Sequence, residues 1–317
     1  MYKIKCKFPL IDNIEIITKD KELYDFTIRQ LNNYIIDHNK EKINCFVNIK
    51  SNRMSNFAED IFLARKLQFK DNQLNFIKKS RVQQIKYNYD FRRGIKITIN
   101  LKKNVLYYIK KFKSSTYSLN HILFYQTVLY PIFSLYAINY NFFLVHGSLL
   151  KIKDKYIVLT GLDGVGKSSL SNELVLEGAK IYADNFVFFN GEKFFGLNMP
   201  IRLDLQNPTK GNIIYEDNNL KEVLYNEILN TSVKVDKIFF LTISEKFNIS
   251  KLDQNIASFN WQFINSGAGE ILDANLFILP FLYMNLLHNN QNIYIPEYYH
   301  LTIPLGKIDM AVKEIMC

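Results

Sequence analysis

The sequence contains few cysteines, and their spacing predicts no pairing. Cys6, Cys45 and Cys317 are the only three, an odd number without the spacing of a zinc site or a disulfide framework. The N-terminus, MYKIKCKFPLIDNIEIITKD, alternates charged and apolar residues. It lacks the continuous apolar segment and the small-residue cleavage site of a signal peptide. These absences predict a reduced, cytoplasmic protein and argue against secretion.

Charge is absent from one long segment. Residues 114–150 contain no charged side chain, and the apolar part of this segment is long enough to cross a bilayer. Pro131, Asn139 and Asn141 interrupt it, however, and residues 119–138 are typical of a helix whereas 142–152 are typical of a strand. A buried helix followed by a strand is therefore favoured over a membrane span, and no membrane association is predicted.

Positive charge is scarce in the second half of the chain. Residues 1–145 carry 25 Lys and Arg against 11 Asp and Glu, a balance of +14, whereas residues 146–317 carry 15 against 19, a balance of −4. The basic half either attracts an acidic partner or reflects a general lysine bias of the sequence, and charge alone leaves both open. Its aromatic residues Tyr87, Tyr89 and Phe91 match no RNA-binding pattern, which disfavours a nucleic-acid partner.

The first half is predicted to be a β-rich α+β domain, residues 1–140, that recognises a substrate or partner. Strands are expected for YKIKCKF, NIEIIT, INCFVNIK and IKITINL, and a helix within 20–36. IKITINL followed by NVLYYIKKF predicts a hairpin that turns at Lys102 and Lys103. A composition of 48% hydrophobic and 22% charged residues supports a globular fold with room for two domains.

The second half, residues 141–317, alternates strands and helices, which predicts an α/β nucleotide-binding domain. FFLVHGSLLKI and YIVLTG should pair across a turn at 153–155, and SSLSNELVLE should form a helix that ends at Gly178. Further strands are expected at AKIYAD, at FVFF and KFFGL around Asn190-Gly191, at KIFFLTI and at YYHLTIP. Helices are expected at LKEVLYNEIL, ANLFILPFLYMNLL and GKIDMAVKEIM.

One motif carries specific chemistry. The run Gly161-Leu162-Asp163-Gly164-Val165-Gly166-Lys167-Ser168 matches the P-loop (Walker A) pattern at every fixed position. Its glycines let backbone N–H groups converge on phosphate oxygens, and the helix that follows, with Ser169 in its first turn, adds its dipole. Lys167 would bind the β- and γ-phosphates and Ser168 would ligate Mg²⁺.

An acidic residue is expected near the metal, and Asp184 is well placed. It ends the strand AKIYAD, 17 residues after Lys167. If that strand lay beside the P-loop strand, its carboxylate would reach the edge of the sheet where open α/β folds bind ligands. An ordinary turn or capping residue is the alternative for Asp184.

The run VHGSLLKIKDKYIVLTGLDGVGKSSLSNELVLEGAKIYADN resembles the catalytic core of the HPr kinase/phosphorylase family. The resemblance extends from His146 to about Arg202, and more loosely to YYHLTIPLGKIDMAVKEI. It implies a P-loop kinase core of the HPr kinase type, in which Asp184 is the base or a Mg²⁺ ligand and His146 supports that carboxylate. Members of this family often form rings, so the resemblance leaves a homo-oligomer open.

The sequence departs from the family at two places. Asn185 stands where the bifunctional enzymes carry a second acidic residue, and the glycine-rich segment associated with phosphorolysis is not found. Both departures favour the kinase direction. Arg202, the only arginine after residue 93, is either a phosphate contact or a surface residue.

The predicted reaction is transfer of the γ-phosphate of ATP, with Mg²⁺, to a hydroxyl group. A serine of a peptide or protein, such as a natural-product precursor, is the favoured acceptor, and a small hydroxylated molecule is the alternative. The P-loop wording also resembles thymidylate kinase, but that family needs arginines after the motif and here only Arg202 follows. A non-catalytic, ATP-dependent binding or regulatory protein stays open because of Asn185.

Overall fold

The computed structural model describes residues 1–8, 13–36, 45–53, 65–70, 73–79, 83–90, 95–103, 125, 129, 133, 142–162, 164–253 and 296–317. These residues divide into two compact units, the first within 1–136 and the second within 137–317. Both units mix helices and strands, so the chain is a mixed α/β protein with several sheets. Within the described part of the chain, no helix is both long and apolar enough to cross a membrane.

The first unit is built on a seven-stranded sheet in the order β1-β2-β3-β7-β6-β5-β4. β2 and β3 pair in parallel, as do β3 and β7, and the other neighbours are antiparallel. The helix α1 lies between β2 and β3 in the sequence, and the side chain of Asp20 caps it by accepting from the Leu23 N–H. The bounds are β1 Tyr2–Cys6, β2 Ile14–Thr18, α1 Lys21–Gln30, β3 Cys45–Arg53, β4 Arg65–Lys70, β5 Gln73–Lys79, β6 Gln83–Asp90 and β7 Ile95–Lys103.

The predicted strands and helix of this unit are confirmed, but the predicted turn at Lys102 and Lys103 is wrong. Both lysines lie inside β7, where Lys102 pairs with Asn52 of β3 on one side and with Gln84 of β6 on the other. Because β7 is paired with β3 on one side and β6 on the other, the strand continues through these two lysines despite their charge. Residues 104–112, the second arm of the predicted hairpin, lie outside the described residues.

The second unit contains a six-stranded mixed sheet in the order β11-β9-β10-β17-β19-β18, and two three-stranded sheets, β13-β12-β8 and β14-β16-β15. Its strands are β8 Phe143–Val145, β9 Gly147–Ile152, β10 Lys155–Gly161, β11 Lys180–Asp184, β12 Phe186–Phe189, β13 Phe194–Leu197, β14 Ile201–Asp204, β15 Asn212–Glu216, β16 Leu220–Leu224, β17 Lys237–Ile243, β18 Asn248–Lys251 and β19 Glu297–Ile303. Its described helices are α2 Lys167–Leu176 and α3 Ile308–Met316.

Helices α2 and α3 and the central strands share one apolar core. Leu159 of β10, Phe239 of β17 and Leu301 of β19 pack in the same cluster as Leu170 of α2 and Ala311 of α3. β10 and β17 are parallel and nearly continuously apolar, as expected of strands covered on both faces. This core fixes the start of α2 against the end of β10, where the P-loop sequence lies.

The helix predicted for LKEVLYNEIL is wrong. Residues 220–224 form β16, the central strand of the β14-β16-β15 sheet, and residues 225–230 form neither helix nor strand. Leu, Lys and Glu favour helices in isolation, but here Glu222 and Val223 are fully buried between neighbouring strands. Pairing on both sides therefore overrides the intrinsic propensity.

Two other predictions change or remain open. The single strand predicted for 142–152 is two strands, because the chain leaves the β13-β12-β8 sheet at His146 and enters the six-stranded sheet at Gly147. The predicted helix 119–138 lies outside the described residues except for Tyr125, Leu129 and Phe133, which are buried. The predicted helix ANLFILPFLYMNLL lies wholly outside them.

Candidate functional site

The 161–168 loop joins the end of β10 to the start of α2. Gly164 and Gly166 have φ angles of 80° and 90°, a left-handed conformation that glycine adopts without the cost a side chain would add. At Gly161 a side chain is excluded for another reason. A Cβ there would lie 2.6 Å from the Leu241 carbonyl oxygen of β17, which is too close. The glycines thus allow a tight strand-to-helix connection. Asp163 lies outside the described residues.

Lys167, the first residue of α2, folds back over this loop. It is buried, and its Nζ donates to the carbonyl oxygens of Gly161 at 3.0 Å and Leu162 at 2.8 Å. Val165 packs against the apolar core, and Ser169 is half-buried in the first turn of α2. A positive charge is therefore held against the loop backbone, at the N-terminal end of a helix.

Asp184 lies at the same edge of the sheet as the loop. β10 and β11 both run antiparallel to β9, so both end at this edge, with β9 between them. The Asp184 strand is therefore not directly beside the P-loop strand. The carboxylate still reaches the loop, since the Ser168 hydroxyl donates to Asp184 Oδ2 at 2.9 Å.

Two further side chains hold the Asp184 carboxylate. Ser148, directly across from Asp184 in the register of β9 and β11, donates to Oδ1 at 2.6 Å and is fully buried. Asn185 donates to Oδ2 at 3.3 Å from a left-handed backbone conformation, φ 71°. Ser148 is not among the site residues predicted from the sequence. Its signal is a serine inside the apolar strand GSLLKI, two residues after His146.

Burial raises the pKa of the Asp184 carboxyl. The hydrogen bonds from Ser148 and Ser168 and the nearby charges of His146 and Lys167 act in the opposite direction, because they favour the ionised form. His146 is buried, and its carbonyl oxygen accepts from the Thr160 hydroxyl of β10 at 2.9 Å. His146 is thus close enough to influence Asp184, and its predicted supporting role stays a prediction.

Arg202 lies on β14, in a different sheet. It stands directly across from Glu222 of β16, which is buried. Its neighbours Ile201 and Leu203 face the core that contains Leu170, so Arg202 points to the opposite face of its sheet. The register gives Arg202 a carboxylate neighbour on its own sheet, and its phosphate contact stays a prediction.

The oxygen atoms at the site suit a magnesium ion. Ser168 Oγ and Asp184 Oδ2 are 2.9 Å apart, and hydroxyl and carboxylate oxygens are ligands that Mg²⁺ prefers. Among the residues that the structure describes, no three His, Cys, Asp or Glu side chains come together as a metal cluster. A two-ligand site completed by water and phosphate oxygens is the usual arrangement for Mg²⁺.

Comparison with known proteins gives little beyond this geometry. No protein-family model matches the chain, and no curated protein matches its sequence. Among solved structures, the HPr(Ser) kinase/phosphatase from Coxiella burnetii is 13% identical, with a TM-score of 0.26, over 54% of this chain and 92% of that one. A TM-score this low does not establish a shared fold. The function therefore has to be inferred from the residues of the site itself.

Proposed function

We propose that this protein is an ATP-dependent kinase that transfers the γ-phosphate to a hydroxyl group. The favoured acceptor is a serine of a peptide or protein. The observation that supports this is the hydrogen bond between Ser168, at the end of the glycine loop, and the buried Asp184. A glycine loop, a lysine, a hydroxyl and a carboxylate at one sheet edge are the parts that P-loop phosphotransferases use.

Each residue has a distinct task in this proposal. The loop amides and the α2 N-terminus bind the phosphate oxygens, and Lys167 exchanges its bonds to the Gly161 and Leu162 carbonyls for bonds to the β- and γ-phosphates. Ser168 and Asp184 would hold Mg²⁺, which when bound neutralises charge on the phosphates. Ser148 keeps one carboxylate oxygen fixed, so that the other stays directed at Ser168.

Asp184 is the residue proposed to orient the acceptor hydroxyl or to take its proton. The oxygen of the acceptor forms a bond to the γ-phosphorus while the bond to the β-phosphate oxygen breaks, and ADP leaves. Arg202 is the candidate for an additional contact with the transferred phosphoryl group, and His146 is the candidate that supports the Asp184 carboxylate.

The acceptor is proposed to be acidic because of the charge distribution along the chain. The first 145 residues carry a balance of +14, which would steer an acidic peptide or protein towards the chain. A small hydroxylated molecule is the alternative acceptor, since none of the described residues at the site requires a peptide.

Asn185 supports one competing function, a nucleotide-dependent binding protein without transfer. Its amide donates to Asp184 Oδ2 at 3.3 Å, in the place where a second carboxylate would add negative charge for the cation. In this alternative, ATP binds through Lys167 and the loop but the phosphoryl group stays in place.

The deciding experiment follows γ-labelled phosphate in the presence of Mg²⁺ and a set of acidic serine peptides. We expect the wild type to label serine and the Lys167→Ala and Asp184→Asn variants to lose at least about 100-fold in rate. Asp154→Asn is the matched control, because Asp154 is exposed in the turn before β10, at the opposite edge of the sheet. ATP binding that depends on Lys167, without labelling of any peptide or small alcohol, would leave only the binding protein.

A further inference from the structure

Exposed aliphatic side chains are concentrated beside the 161–168 loop. Among the residues that the structure describes, eight large hydrophobic side chains are exposed, and four of these lie at one edge of the six-stranded sheet. They are Leu162, Ile243, Leu305 and Met310, which are 44%, 51%, 85% and 39% exposed. Single exposed apolar residues are ordinary, so it is the concentration at one edge that requires an explanation.

Three of them lie at the carboxyl ends of three neighbouring strands, although not at matching register positions, and we call this arrangement a row. β10, β17 and β19 are parallel neighbours, with Gly161 opposite Leu241 and Leu241 opposite Leu301. Leu162 follows Gly161, Ile243 ends β17, and Leu305 comes two residues after β19. Since neighbouring strands are about 4.8 Å apart, the row extends sideways from the loop by about 10 Å.

The last member of the row is held by a tight turn. The Lys307 N–H donates to the Pro304 carbonyl oxygen at 3.0 Å, and Gly306 has a φ of 75°. A positive φ at the third position is the arrangement of a type II turn, which leaves Leu305 at the projecting second position. Leu305 is therefore presented to solvent by a defined backbone and not by a loose end.

The row and Asp184 lie on opposite sides of the loop. β11, which ends in Asp184, is two strands from β10 in one direction, whereas β17 and β19 follow β10 in the other. In the proposed function, the γ-phosphate lies next to Ser168 and Asp184. A nucleotide that extends from there along the sheet edge, away from Asp184, brings its nucleoside towards β17 and β19.

From this placement we infer that Leu162, Ile243 and Leu305 form a binding surface for the base of a purine nucleoside triphosphate, a surface that we call the base row. This inference rests on the proposed function, which places the triphosphate in the loop. The flat apolar face of a purine would cover aliphatic side chains that otherwise contact water. Because these side chains offer no hydrogen bonds, the base row binds adenine and guanine about equally.

The test separates the base from the phosphates by comparing Mg²⁺-ATP with Mg²⁺-tripolyphosphate, measured by titration calorimetry. In the variant that combines Ile243→Ser with Leu305→Ser, we expect ATP to bind about tenfold more weakly, since apolar contact area is lost, while tripolyphosphate binding is unchanged. Ile213→Ser is the matched control: Ile213 is 50% exposed, but on β15 of another sheet. It should change neither affinity.

Four outcomes would overturn the base row. Unchanged ATP affinity in the double variant would show that the base lies elsewhere, and an equal loss for both ligands would show that the side chains support the loop. If the wild type bound tripolyphosphate through Lys167 but ATP no better, the proposed function would survive and the base row alone would fail. If the wild type bound neither ligand, the proposed function would fail and the base row with it.

Discussion

Asp184 is the residue on which the electrostatics of the site depend. Burial raises its pKa, while Ser148, Ser168, His146 and Lys167 favour its ionised form. Because its pKa in the folded chain lies above that in the unfolded chain, the ionised carboxylate costs folding free energy at neutral pH. The stability that the protonated carboxyl contributes is present below its unfolded pKa, about 4, and is lost as the pH rises through the folded pKa. A bound cation would offset this cost.

Asp184→Asn should therefore stabilise the nucleotide-free protein while removing its function. The asparagine can still accept from one serine and donate to the hydroxyl oxygen of the other. We expect the free energy of unfolding at neutral pH, without Mg²⁺, to rise by about 1 kcal/mol. The gain over wild type should shrink as the pH falls, because the wild-type carboxyl becomes protonated. Denaturant unfolding at pH 5 and pH 7.5 measures this, and a variant less stable than wild type at both would contradict it.

Ser148→Ala should separate the orientation of Asp184 from nucleotide binding. The variant leaves Asp184 Oδ1 without its buried donor, and we expect a loss of about 1–3 kcal/mol in unfolding free energy. The rate constant kcat should fall about tenfold, while the KM for ATP should stay near wild type because the loop contacts remain. Ser171→Ala is the control, since Ser171 is buried in α2 and its hydroxyl has no hydrogen-bond partner in the described part of the chain. Equal effects of the two variants on kcat would exclude a specific role for Ser148.

At the scale of elements, the sequence predicted correctly those strands and helices that a local motif determines. The strand, glycine loop and helix from 155 to 176 follow from one motif, and Gly178, with a φ of 103°, ends α2 where a glycine cap was expected. β16 was missed because only its two neighbours make it a strand. Ser148 was missed because its role depends on the pairing of β9 with β11. The pairing of these two strands cannot be predicted from a local sequence pattern.

The corner between β11 and β12 offers a test at this scale. Asn185 there has a left-handed backbone conformation and also a side chain that donates to Asp184. Asn185→Gly keeps the left-handed conformation, φ 71°, and removes only the donor to Asp184. Asn185→Ala removes the donor and also strains the backbone, so it should be less stable than the glycine variant by about 1 kcal/mol. The two denaturation midpoints measure the difference. If alanine were as stable as glycine, the left-handed corner would not constrain this position.

At the scale of the whole molecule, charge is divided along the chain. Residues 1–145 have a balance of +14 and residues 146–317 a balance of −4. The chemistry proposed for the 161–168 loop needs few positive charges, and Arg202 is the only arginine after residue 93. The surplus of basic residues in the first half is therefore available for a task outside the loop, which we propose is attraction of an acidic acceptor.

Neutralising part of that surplus should weaken acceptor binding without changing ATP binding. We expect Lys110, Lys111 and Lys113, each replaced by Gln, to raise the KM for an acidic peptide several-fold at low salt, with the KM for ATP unchanged. The effect should diminish at 0.15 M salt, where the screening length is about 8 Å.

A control with the same change in net charge distinguishes a local basic surface from total charge. Three exposed lysines of the second half serve for this purpose, each replaced by Gln: Lys155, Lys180 and Lys313. If both triple variants raised the acceptor KM equally, attraction would depend on net charge and not on the first half. If neither did so at low salt, the basic residues would reflect the lysine bias of the sequence, and a small neutral alcohol would become the better candidate acceptor.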